Sequence, residues 1–402
     1  TFGVKQGSTT EITYTISPSA APSAMPSLIT ADILEAAKDV SGEVQPGTPQ
    51  FEAVGWISTY DRIISDGLIN RAIFRQRYSL VVLFFATNGT EWAENEGWLD
   101  PQAHECDWSN DISCVTDPTG QRDVKALNLV NNKLRGPIPK EMGQLFDLDS
   151  LDFSQNRLTG FIPPEIFGLG RLLRFYVSNN LLSGTLPANV GSMSSLTDMK
   201  LSFNKLNGTL PPSIFDLQMM TSLDISNNEF TGVVSDDLQE LRALERLNFQ
   251  RNDFTGTLPA RGASLTVANF DWNQFTGTIP LATLDGQRVF TASHNKIRGK
   301  FPGEEALGDA FDPNNPIPLE QLIALLNSSK IEKIDMGHNE LSGTFPNLGL
   351  LPRLEYVDLN GNNFNGMFPA GGEYGEYMWR STTHLAVAGN FLSGTLPTAF
   401  TD

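Results

Sequence analysis

Residues Leu172 to Pro187 read LLRFYVSNNLLSGTLP, and the skeleton L-x-x-[apolar]-x-[apolar]-x-x-N-x-[apolar]-x-G-x-[apolar]-P returns until the chain ends. Asn falls at Asn132, Asn156, Asn180, Asn204, Asn228, Asn252, Asn273, Asn295, Asn339, Asn362 and Asn390, with Gly four places later each time, from Gly136 to Gly394. Seven places after each Asn stands a Pro, except at Ser235. The first five steps are 24 residues each (132 to 252), so one supersecondary unit is stacked on itself.

Each residue type has a physical task. Pairs such as Leu127/Leu129, Leu223/Ile225 and Val357/Leu359 alternate with polar residues. That is the period of a short strand with one buried face. The Asn that follows turns inward, where its amide can donate to and accept from backbone groups otherwise buried without partners. Stacked, these side chains form an asparagine ladder. Gly admits backbone angles closed to other residues, and Pro, lacking an N–H, turns the chain back.

These three columns together resemble the plant-type, or LxGxIP, leucine-rich repeat, over about residues 124 to 400 and eleven repeats. The resemblance implies an α/β solenoid, a right-handed superhelix with a parallel sheet on its concave face. The spacing falls to 21 and 22 at Asn273 and Asn295 and jumps to 44 before Asn339. Within that gap Leu319, Leu322, Ile323 and Leu326 have helical spacing and predict an inserted helix. A degenerate twelfth repeat is the weaker reading. The chain therefore divides into an extended arm and Pro/Ser linker (1–27), a helical N-terminal cap (28–123) and the solenoid (124–402), with the insertion at about 303–328.

Ahead of the repeats, 1–17 predict an isolated strand, which needs an edge to pair with. SPSAAPSAMPS at 17–27 is an extended linker. Three apolar faces follow: Ile29, Ile33, Leu34 and Ala37; Phe51, Val54, Ile57 and Tyr60; and Ile73, Phe74, Tyr78, Val81, Phe84 and Phe85. Trp92, Trp98 and Trp108 lie in the stretch that leads into the first coil, which a solenoid must seal from water.

Cys106 and Cys114 beside Trp108 resemble the disulfide of the plant-type N-terminal cap, which implies an oxidising compartment. Asn88-Gly-Thr, Asn207-Gly-Thr and Asn327-Ser-Ser are glycosylation sequons that agree with it. Thr48 to Trp56, Arg77 to Gly89 and Glu105 to Trp108, behind a Pro/Ser linker, resemble extracellular leucine-rich repeat proteins of diatoms and related algae. This second resemblance implies a secreted or cell-surface glycoprotein and no particular activity.

Composition narrows the partners. The net charge is −18, from 28 Lys plus Arg against 46 Asp plus Glu, which disfavours nucleic acid and anionic membrane. The longest apolar run, LVVLFFA at 80–86, falls short of a membrane span. Thr1 reads as a processed or trimmed start. The four histidines, His104, His294, His338 and His384, are scattered, and no nucleophile elbow, zinc motif or phosphate loop occurs. Asp312-Pro-Asn-Asn lacks the spacing of a calcium loop. The sequence thus predicts no catalysis, cofactor or metal.

The outward strand positions, four and two places before each Asn, are polar and mixed in sign. Tyr176, Lys200, Asp224, Arg246, Asp271, Trp272, His294, Asp335 and His338 are the candidate binding residues of the concave face, where aromatic and cationic residues among small polar ones suit a peptide or sugar. A merely solvated sheet is the competing interpretation. Leu385, Val387, Leu392 and Leu396 leave the last coil with an open sheet edge, which the arm of another copy could pair. Two functions follow. One is a structural or adhesive protein making protein contacts, self-assembling end to end into a homo-oligomer or filament through its arm. The other is a soluble or shed recognition ectodomain for a peptide, glycan or foreign enzyme. Ice binding is disfavoured because the concave columns are irregular.

Overall fold

The computed structural model describes residues 3–6, 12–15, 31–61, 63–64, 70–259, 264–280, 286–301, 330–346, 348, 353–368 and 381–394. They fall into two compact units divided between Leu182 and Ser183.

In the first unit, Gly3–Gln6 pairs antiparallel with Ile12–Thr15, Gly3 opposite Thr15. The lone strand expected over 1–17 is therefore half of a hairpin. Its partner comes from the same arm, because the residues between them are enough to reverse the chain. Helices α1 (Ala31–Ser41), α2 (Pro49–Tyr60) and α3 (Arg71–Ala86) follow. Thr48 caps α2, whose first residue is Pro49, and the Asn70 carboxamide accepts from the N–H groups of Ala72 and Ile73 to start α3. The single apolar face expected of α3 is wrong. From Arg77 to Phe84 it is buried on every side, so its hydrophobicity has no stripe.

A polar exception sits in that packing. Arg77 is fully buried, its guanidinium 4.7 Å from the Trp108 ring and 5.6 Å from the Trp56 ring. It pairs with Asp61 and Glu105 and donates to the Ala103 carbonyl at 3.0 Å. A buried charge persists only when paired and hydrogen-bonded in this way. Cys106 and Cys114 are joined in a disulfide, Cα atoms 5.9 Å apart. Ile112–Thr116 runs antiparallel to Arg122–Asn128, and parallel pairing continues through Ser150–Asp152 to Arg174–Tyr176.

The second unit is a parallel β-solenoid. Asp198–Lys200, Ser222–Asp224, Arg246–Asn248, Val267–Asn269, Val289–Thr291, Lys333–Asp335, Tyr356–Asp358 and His384–Ala386 stack in that order. The register never slips, so Asn248, Asn269, Thr291, Asp335, Asp358 and Ala386 form one column. Short strands at Lys205–Gly208, Glu229–Val233 and Asp253–Thr255, and later at Arg298–Gly299, Glu340–Thr344, Asn363–Met367 and Phe391–Ser393, pair on the other side of each turn. Phe249, Phe254, Phe270, Phe275 and Phe290 fill the interior with rings 5.2–6.3 Å apart.

The ladder amides bridge coils in both units. The Asn156 amide nitrogen donates to the Leu129 carbonyl of the preceding coil at 2.7 Å and to the Phe153 carbonyl at 2.9 Å, while its oxygen accepts from the Asn132 and Leu134 N–H groups. Asn273 repeats the pattern with the Phe249 and Phe270 carbonyls and the Phe254 N–H. Asn295, Asn339, Asn362 and Asn390 do the same. The residue before each ladder Asn takes a left-handed backbone, φ 53–68°, at Asn131, Gln155, Asn179, Phe203, Asn227, Arg251, Trp272, His294, His338, Gly361 and Gly389. Asn and Gly suit that region, whereas a bulky side chain there is uncommon.

Phe203 holds this conformation with its side chain largely exposed. Phe203→Asn is expected to raise stability by about 1 kcal/mol, read as a higher urea midpoint at unchanged slope.

The inserted helix expected at about 303–328, with Leu319, Leu322, Ile323 and Leu326, lies outside the described residues, as do Asn327, Ile29, Leu396 and the rest of 395–402.

Candidate functional site

The strand face of the second unit changes character along the stack. Asp224, Asn248, Asn269, Asp335 and Asp358 each use a side-chain oxygen to accept the N–H two residues on, at Ser226, Gln250, Asp271, Gly337 and Asn360. This local cap explains why Asp and Asn recur in that column. Lys200 and Arg246 are exposed and Asp224 half-buried on its early coils. Tyr176 is a half-buried residue of the first unit.

Later coils bring the remaining candidates together. In the left-handed column, the Trp272 and His294 rings stack with centroids 3.7 Å apart and planes 14° from parallel, and His294 and His338 follow at 4.3 Å and 16°. The Arg251 guanidinium lies over the outer face of Trp272, 5.0 Å from its centre. Gly361 closes the other end. Its φ is 61°, and a Cβ there would lie 2.8 Å from His338 Nδ1, so the ring occupies the space a side chain would need.

A second row of rings lines the start of the strands. Tyr356 and His384 stack at 4.3 Å and 7°, and the Lys333 ammonium sits 4.3 Å from the Tyr356 ring centre. The two columns are five residues apart along each coil, so Val267, Val289 and Lys333 stand across from Trp272, His294 and His338, and Tyr356 and His384 stand on the two coils that follow. Between the columns lie Asp271, Thr291, Ser293, Asp335, Gly337 and Asp358. This floor is recessed, with Asp271 8% and Thr291 4% exposed. Asp271, one of the candidate binding residues of the outward strand face, is buried, and its Oδ1 accepts the Ser293 N–H at 2.7 Å.

Burial raises the Asp271 carboxyl above its usual range, against the hydrogen bonds of Ser293, the nearby Thr291 hydroxyl and the charge of Lys333. Asp335 is raised by burial first and then by the neighbouring Asp271. His294 is lowered by burial first and then by His338, which favours the neutral imidazole. Sequence reading overlooked Arg251, Lys333, Tyr356 and His384. The signal was present in two columns, six places and one place before each ladder Asn.

Elsewhere, the sequon residue Asn88 is exposed and Asn207 half-buried. A cleft of about 640 Å³ in the first unit is lined by Glu94, Glu96, Asp107 and Asp111 near Cys106 and Trp108. Asp107 is paired there with Arg122, and Asp111 accepts from the Ser109 hydroxyl. Among the described residues, no group of three or more His, Cys, Asp or Glu could hold a metal, and no helix is long and apolar enough to cross a membrane.

A carboxyl raised by burial lends stability that is complete below its unfolded value and is lost as pH rises through the folded one. Asp335→Asn, which keeps the oxygen that accepts the Gly337 N–H, should therefore raise the melting temperature at about pH 7 and change it little below about pH 4. Thermal unfolding at the two pH values checks this.

The Leucine Rich Repeat family profile matches residues 147–169 and 219–241. No curated protein matches the chain. Among solved structures it is similar to the plant peptide hormone receptor RGFR1 in complex with RGF2, at 26% identity and a TM-score of 0.59, over 67% of this chain and 41% of that one. It is similar to a TDR receptor at 25% identity and a TM-score of 0.59, over 67% and 44%. A plant ice-binding protein shares the fold at 24% identity and a TM-score of 0.61, over 79% and 95%. The chain spans less than half the length of these two receptors. With its repeat motif, parallel coils and amide ladder, it has the fold of a leucine-rich repeat solenoid.

Proposed function

We propose that this chain is a non-catalytic extracellular recognition protein whose strand face binds a peptide. The observation that carries the reading is a pair of ring stacks bordering a recessed polar floor on successive coils whose register is fixed. Sites on rigid elements hold their geometry better than sites on loops. Aromatic anchors around a desolvated centre are the usual source of binding energy. The similar receptor RGFR1 was solved in complex with RGF2, which supports the same use of the fold here. The disulfide supports an oxidising, extracellular setting. End-to-end assembly through the arm is the lesser reading, because the arm strand already pairs with Gly3–Gln6.

A display library of random peptides selected on the intact chain tests the proposal. Enriched peptides should bind His338→Ala at least about tenfold more weakly than the native chain, and Thr257→Asn, on the opposite side of the coils, equally well. A chain that enriches no peptide, or whose binders ignore His338→Ala, contradicts it.

A further inference from the structure

Resting on that reading, the chemistry of the trough specifies what the peptide must present. We infer that the trough of Asp271, Asp335 and Asp358, bordered by Trp272, His294 and His338 and, on the coils that follow, by Tyr356 and His384, takes an arginine side chain of the peptide.

Charge is the first argument. The three carboxylates stand within four successive coils, the coil of Thr291 lying between those of Asp271 and Asp335. Asp335 and Asp358 are direct register partners, and Asp271 and Asp358 each push Asp335 away from ionisation. The cation that offsets them is Lys333, whose ammonium rests against Tyr356 and makes no salt bridge with any of the three among the described residues. The floor therefore holds more negative charge than the described residues supply cation to balance.

An unmet donor or acceptor is the second argument. Thr291, the register partner of Asp335, is 4% exposed, and its hydroxyl lies near enough to Asp271 to favour the charged form yet makes no well-formed hydrogen bond. A buried polar group in that state is one a bound ligand can satisfy.

The carboxylates select among cations. A planar guanidinium donates through a fork to more than one carboxylate, which a compact ammonium does less well. The chain shows this chemistry once already, with Arg77 between Asp61 and Glu105. A metal ion is a poor fit, since the carboxylates are not gathered into a coordination set among the described residues.

Calorimetry on the intact chain with acetylated tetra-arginine amide, tetralysine amide and the neutral tetracitrulline amide tests the inference. Tetra-arginine should bind, tetralysine should bind at least about threefold more weakly, and tetracitrulline should give no signal. Asp335→Asn, expected to fold at least as stably as the native chain at neutral pH, should weaken tetra-arginine about tenfold or more. Glu240→Gln, away from the trough, should leave it unchanged. Equal binding to Asp335→Asn and the native chain would overturn the assignment, as would equal binding of tetracitrulline and tetra-arginine. Equal binding of tetralysine and tetra-arginine would overturn the choice of guanidinium. Library peptides that lack arginine yet depend on His338 would sink this inference and leave peptide recognition standing.

Discussion

Everything in the repeats depends on one amide side chain per coil. A tight coil turns its backbone carbonyls and N–H groups inward at the end of each strand, where water cannot reach them, and an unpartnered buried peptide group costs about 1–3 kcal/mol. Asn is short enough to stay inside the bend and carries both a donor and an acceptor. It binds a carbonyl of its own coil, a carbonyl of the coil before and an N–H of that same neighbour, as Asn295 does with Ala292, Phe270 and Phe275. Neighbouring coils are thereby fastened together at one atomic register.

That fastening has a consequence for the residue before each Asn. To aim the amide inward, the chain passes through the left-handed region at the preceding position, and it does so whichever side chain sits there. Asn131, Asn179, Asn227, Gly361 and Gly389 are comfortable. Trp272, His294 and His338 pay in backbone strain, which their stacking offsets in part. Asp271 and Asp335 add a second cost, since burial opposes their charge. Local rules broken together on adjacent coils mark a place where the sequence serves something other than stability.

Much of the fold was legible because it is periodic. Asn, Gly and Pro each answer a local constraint, so eleven aligned copies reveal the coil, the strand and the buried ladder. The site was legible only in part. Trp272, His294 and His338 drew notice as large residues beside the ladder, but nothing in their spacing says that a left-handed turn stacks their rings 3.7–4.3 Å apart. Tyr356 and His384 meet only because 28 residues of chain, from 356 to 384, close one coil. Asp271 looked like any outward strand residue, and its burial is set by neighbours on other coils. The Gly3–Gln6 pairing was hidden for a different reason, since that short segment carries no alternation of its own.

Hydrogen exchange on Asn273→Ala tests the ladder most directly. If the amide fastens coils, peptides containing Phe254, whose N–H the Asn273 oxygen accepts at 3.1 Å, should lose protection while those around Asn339 keep theirs. Unchanged exchange at Phe254 would show that packing alone holds the coils in register, and the account would fail.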